Sequence, residues 1–156
     1  MMKRISISNP LFVDIVREEV AAGGEIRIGA KGHSMRPFIR DGMDELILHP
    51  CNEYSFRKGA ILLAELGEHR QVAHRVCRVE GEEITLRGDA NLRLTELCGR
   101  ADVIAEVVAV VRKGKRVEKG SPCWNRFRYL WPQTPFARRV ALKLFTLLSE
   151  ISRSRH

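Results

Sequence analysis

Between residues 25 and 113 the chain offers only segments of strand length, each closed by a turn signal. Residues 25–29 alternate apolar and polar. Residues 45–49 follow a turn at Asp41-Gly42, and residues 60–65 follow another at Lys58-Gly59. The Val-rich residues 71–79 are parted by Gly81-Glu82 from residues 84–87, the pattern of a hairpin. A Val/Ala/Ile run over residues 103–111 closes the region. Short strands at this spacing with no helix between them predict a mainly β fold, a compact antiparallel barrel or folded sheet. An apolar fraction of 44% suffices for its core.

The flanks read as helices. Over residues 9–22, Asn9 suits an N-cap and Pro10 the first helical position. Leu11, Phe12, Ile15, Val16 and Val20 make the apolar face, and Gly23-Gly24 ends the segment. Over residues 136–151, Phe136, Val140, Leu144, Leu147 and Ile151 share one face, which Ala137, Ala141 and Leu148 widen. Arg138, Arg139, Lys143 and Glu150 lie opposite. Residues 112–120 are basic and glycine-containing, and are expected to be exposed. The chain thus divides into an N-terminal helical segment (1–24), a β domain (25–113) and a basic extension with an amphipathic helix (114–156).

Charge follows that division. The net +8 of the 156-residue chain is not shared out: residues 1–111 hold 15 basic and 17 acidic side chains, residues 112–156 hold 12 basic and two acidic ones. A nearly neutral β domain is no general nucleic-acid binder, and nucleic acid is not an expected partner. No run of ~18 apolar residues spans a bilayer, and the N-terminus lacks the apolar stretch of a signal peptide. Cys51, Cys77, Cys98 and Cys123 lie far apart with no C-x-x-C pair, so neither a zinc site nor a disulfide framework is expected.

Three stretches can carry chemistry: Gly32-His33-Ser34-Met35-Arg36-Pro37 with Gly42-Met43-Asp44, then His74-Arg75-Val76, then Arg87-Gly88-Asp89-Ala90-Asn91. Each alone is weak, since a Gly-Asp pair is commonly a turn. In this order, with Phe38-Ile39 after Pro37 and Lys58-Gly59-Ala60 between, they resemble the catalytic core of the signal peptidase I family, which shares its fold with LexA-type self-cleaving repressors. The resemblance covers roughly residues 27–113. His74 makes it similar to the histidine version of the family rather than the lysine version.

The resemblance implies a serine endopeptidase with Ser34 as nucleophile and His74 as general base. The residue types allow it: a serine hydroxyl needs a base within hydrogen-bond reach, and histidine titrates in the right range. A carboxylate would orient the ring. The position at which the histidine-type family carries that acid is Thr95 here, which leaves Glu96, next to it, or Asp89. Many relatives have a serine oxyanion donor two residues before the nucleophile, where this chain has Gly32. The hole would then rest on backbone N–H groups of the loop Gly32, His33, Ser34, or on the His33 side chain, with Met35 and Pro37 shaping the loop. No cofactor is needed.

The anchor of signal peptidases is missing, so the resemblance implies a cytoplasmic member that cuts a peptide, protein or leader sequence, peripheral to the inner membrane face if its tail binds there. Ala22-Gly23 is a dipeptide of the type self-cleaving repressors cut, but too little chain precedes it for a DNA-binding domain. The tail has three readings: its apolar face packs on the barrel, or it lies on an anionic membrane surface with Trp124, Trp131, Arg138, Arg139 and Lys143 near the headgroups, or it binds peptide or nucleic acid. The alternative to an enzyme is a catalytically silent binding module on the same fold, favoured by Gly32 and Thr95.

Overall fold

A computed structural model describes residues 11–155 of the chain and the backbone of residues 3–5. Nine strands form one sheet: β1 (Lys3–Ile5), β2 (Ile26–Gly29), β3 (Asp44–His49), β4 (Ile61–Leu66), β5 (Arg70–Glu80), β6 (Glu83–Arg87), β7 (Glu96–Gly99), β8 (Val103–Arg112) and β9 (Lys115–Glu118). Their order is β1-β2-β3-β8-β4-β5-β6-β7, with β9 also paired to β8. All pairings are antiparallel except β1 with β2. The outermost strands β1 and β7 do not pair with each other, so the sheet curls without closing. The mainly antiparallel β fold with a helix at each end is as expected.

The Val-rich run 103–111 becomes β8, the axis of the sheet. β3 lines one edge of it. β4 takes the first half of the other edge (Val103 to Val107) and β9 the second (Ala109 to Arg112). Enclosure explains its near-continuous apolar sequence: eight of its ten residues are buried. The segment 112–120 is therefore a β8–β9 hairpin rather than loop, although Lys115, Arg116 and Glu118 stay exposed.

Helix α1 (Phe12–Ala21) lays Phe12, Val16 and Val20 into the main core with Ile26, Ile28, Leu46, Leu48 and Val110. Gly23, at φ +79°, turns the chain out of the helix while its N–H donates to Val20 O, the left-handed cap that glycine adopts without strain. Asn9 and Pro10 lie outside the described residues. A second core fills the space between β4, β5 and β6, with Leu62, Val76, Ile84 and Leu86 fully enclosed.

The basic extension forms two helices, α2 (Pro122–Leu130) and α3 (Pro135–Ser154). Ser121 and Thr134 cap them, each accepting a backbone N–H three residues on, with proline at the first turn. Trp124 and Trp131 are buried, so they are not placed near lipid headgroups. Trp124 meets Phe38 edge-on, and Phe127 stacks against Phe38, Trp131 and Phe145. The apolar face of α3 does not pack on the sheet. Phe136, Val140, Leu144, Leu147 and Ile151 are all exposed, and the buried residue of this helix is Arg138.

Candidate active site

Ser34 sits in the turn-rich segment joining β2 to β3. That segment is closed at its base, where Ala30 N–H donates to Asp44 O and Gly42 N–H to Ala30 O. The Asp44 carboxylate, completely enclosed, accepts the Arg40 N–H at 2.8 Å and both Arg112 Nε and Nη2, at 2.7 and 2.6 Å. Arg112 Nη2 also donates to Phe38 O at 2.8 Å. A charged pair that accepts backbone donors as well fixes the loop that carries the serine.

The loop 88–91 supports Ser34 from behind. Ala90 N–H donates to Ser34 O at 2.8 Å. A Cβ at Gly88 would stand 2.4 Å from that same oxygen, so only glycine permits the approach. Asp89 N–H contacts Met35 Sδ at 3.4 Å. The Asp89 carboxylate takes Arg75 in a bidentate pair, 2.8 Å on both oxygens, while Arg75 Nη1 donates to Gly59 O. Asp89 is 1% exposed and Arg75 8%, so the pair is an internal brace and Asp89 does not orient His74.

His74 lies on β5, opposite Leu62 of β4, and is buried. Its Nε2 is 2.8 Å from Ser34 Oγ, and its Nδ1 is 2.7 Å from Glu96 Oε2. Glu96 is the first residue of β7 and its other oxygen accepts from Arg70 Nη2 at 2.7 Å. A carboxylate on Nδ1 selects the tautomer with its proton there. Nε2 is then an acceptor for the Ser34 hydroxyl. Burial holds the His74 pKa below its ordinary 6.5. The charge and hydrogen bond of Glu96 oppose that, and Arg70 adds to the lowering. The ring is thus neutral at pH 7, the form that can accept a proton.

Of the loop donors, Gly32 N–H is already given to Asp41 Oδ1 at 2.8 Å and is not free for an oxyanion. Ser34 and Met35 N–H donate to no group among the described residues. His33 is exposed, while Met35 is buried and Pro37 half-buried. Beside Ser34 and His74 opens an apolar cavity of about 110 Å³, lined by Ile28, Ala30, Met35, Leu63 and Val72 among others. Along it, β5 is paired with β4 over residues 70–75, whereas β6 covers β5 only from Arg75 onward. Among the described residues no cluster of His, Cys, Asp and Glu suits a metal ion. Cys51 and Cys98 are pushed up to about 11 by burial, so they are thiols rather than thiolate nucleophiles.

Arg70 and Arg138 escape sequence reasoning as parts of this site, since nothing local in the sequence marks an arginine as the partner of a distant carboxylate or loop carbonyl. Compared with protein-family models and with curated proteins, the chain matches none.

Proposed function

We propose that the chain is a serine endopeptidase in which Ser34 is the nucleophile, His74 the general base and acid, and Glu96 the group that orients the ring. The observation that carries this is the continuous path from Ser34 Oγ through both ring nitrogens to Glu96, 2.8 and then 2.7 Å. These are the atoms and distances that acyl transfer to serine requires.

The steps follow from the geometry. Ser34 Oγ attacks the scissile carbonyl carbon and its proton passes to His74 Nε2. The resulting imidazolium is stabilised by Glu96. The Ser34 and Met35 N–H groups, which donate to no group among the described residues, are the donors offered to the oxyanion. The tetrahedral intermediate expels the amine, which takes the proton from His74, and water then hydrolyses the Ser34 ester with His74 again as base. The open edge of β5 over residues 70–74 suits a substrate laid down as an added strand. The small apolar cavity suits a small side chain before the cut bond.

Of the two features favouring a silent binding module, the want of an acid at Thr95 is met by Glu96. The other remains, since Gly32 supplies no side-chain donor and its N–H is taken by Asp41. A fluorophosphonate probe decides between the readings without a known substrate. The peptidase reading expects covalent label on Ser34 by peptide mapping, lost in Ser34→Ala and at least 100-fold slower in His74→Ala. Label elsewhere, or undiminished label in Ser34→Ala, overturns it.

A further inference from the structure

The basic extension keeps an apolar surface that the fold does not use. Helix α3 is fastened on one side only. Arg138 is buried and donates to Pro132 O, Gly88 O and Asn91 O, and Phe145 meets Phe127 and Trp131. At 100° per residue the row Phe136, Val140, Leu144, Leu147 and Ile151 points away from that side. Phe136 is 78% exposed, Leu144 54% and Leu147 54%. The row runs from Phe136 to Ile151, about 23 Å along the helix at 1.5 Å per residue. A contiguous apolar strip of that length on a charged helix marks a docking surface rather than chance exposure.

Charge says what docks there. Arg139 and Lys143, both exposed, border the row, and the helix carries four basic residues against the single Glu150. Residues 112–156 together hold 12 basic and two acidic side chains. Two copies of this chain pairing through the row would bring like charges together. An anionic plane both buries the row and complements the charge. The helix is too polar to cross a bilayer, since no helix among the described residues is long and apolar enough to do so. A helix with one apolar face and a basic border lies in the plane of the interface instead.

We infer that α3 is an interfacial helix that holds the protein on anionic lipid surfaces. Its apolar row enters the acyl boundary, and Arg139 and Lys143 lie at the phosphate level. This assignment does not depend on the peptidase chemistry.

Sedimentation of the full chain with phosphatidylcholine vesicles, with and without phosphatidylglycerol, tests it. The protein is expected to pellet with the anionic vesicles at low salt, and less as salt rises. Leu144→Ser/Leu147→Ser and Arg139→Gln/Lys143→Gln are each expected to lower the partition coefficient by roughly tenfold or more. All four positions are exposed, so the melting temperature should stay where it is, and circular dichroism checks that. Three results overturn the assignment. The wild type stays in the supernatant, or Leu144→Ser/Leu147→Ser binds as well as wild type, or light scattering shows a dimer that the same leucine pair dissolves.

Discussion

Two carboxylates compete on paper for one imidazole, and the sheet register separates them. Glu96 stands opposite Leu86 on β6, and Leu86 opposite Val76 on β5. Val76 and His74 are two apart and so share a face of β5. Glu96 therefore arrives beside the ring, whereas a slip of one residue on β7 would turn it to the other side. Asp89 arrives instead at Arg75. Substitution should split the two roles. Glu96→Gln is expected to lower the cleavage rate by about 10³ or more with little change in melting temperature, because the tautomer is no longer enforced. Asp89→Asn leaves Arg75 buried and half-paired, and should cost about 3–5 kcal/mol in denaturant unfolding. A Glu96→Gln protein as active as wild type would remove Glu96 from the mechanism. The sequence narrowed the acid to these two, and no further: the pairing that chooses between them depends on a β6–β7 connection with no local signature.

At the scale of elements, structure set by local signals is legible in the sequence and structure set by distant partners is not. The Gly81-Glu82 hairpin, the Gly23 helix stop and the Val-rich β8 announce themselves within a few residues, and the structure has all three. Strands β7 and β9 do not: β7 is four residues long and β9 is mostly charged, and each exists because a neighbour offers it an edge. Helix α2 carries a local signal of its own, Ser121-Pro122 ahead of an aromatic segment. Helix α3 was legible in its period but not in its attachment. Arg138 looks like part of a solvated basic face, yet its guanidinium is the peg that joins α3 to the loop behind Ser34. Arg138→Met retains much of the stem but leaves the Gly88, Asn91 and Pro132 carbonyls without that donor. A loss of about 1–3 kcal/mol is expected, read as a lower melting temperature. A red shift of tryptophan emission should accompany it as Trp131 loses cover. Unchanged melting and emission would mean that α3 is held by its aromatic contacts alone.

For the molecule as a whole, pH ties activity to stability through His74. Its folded pKa lies below its ordinary 6.5 because burial disfavours the cation. The unfolded chain therefore binds this proton more readily. The contribution to stability is complete above 6.5 and is lost as pH falls from 6.5 towards the folded value. On the proposed mechanism the neutral ring is the base, so kcat/KM should rise with pH to a plateau, with its midpoint below 6.5. A midpoint above 6.5 would contradict the burial argument. His74→Gln should remove this group's share of the acid-side loss of stability, seen in urea midpoints across the same range.

The support of the serine loop also has an order in time. Ser34, His74 and Glu96 occupy the first two thirds of the chain, but Arg112, Trp124, Trp131 and Arg138, which hold the loops beneath them, come later. A chain made from its N-terminus carries Ser34, His74 and Glu96 before it carries the residues that fix them in place. The nascent protein thus holds all its reactive groups while its serine loop is still unbraced. It gains a set geometry only as the basic helices emerge, a delay that, on the proposed peptidase reading, would spare neighbouring unfolded chains from cleavage during synthesis.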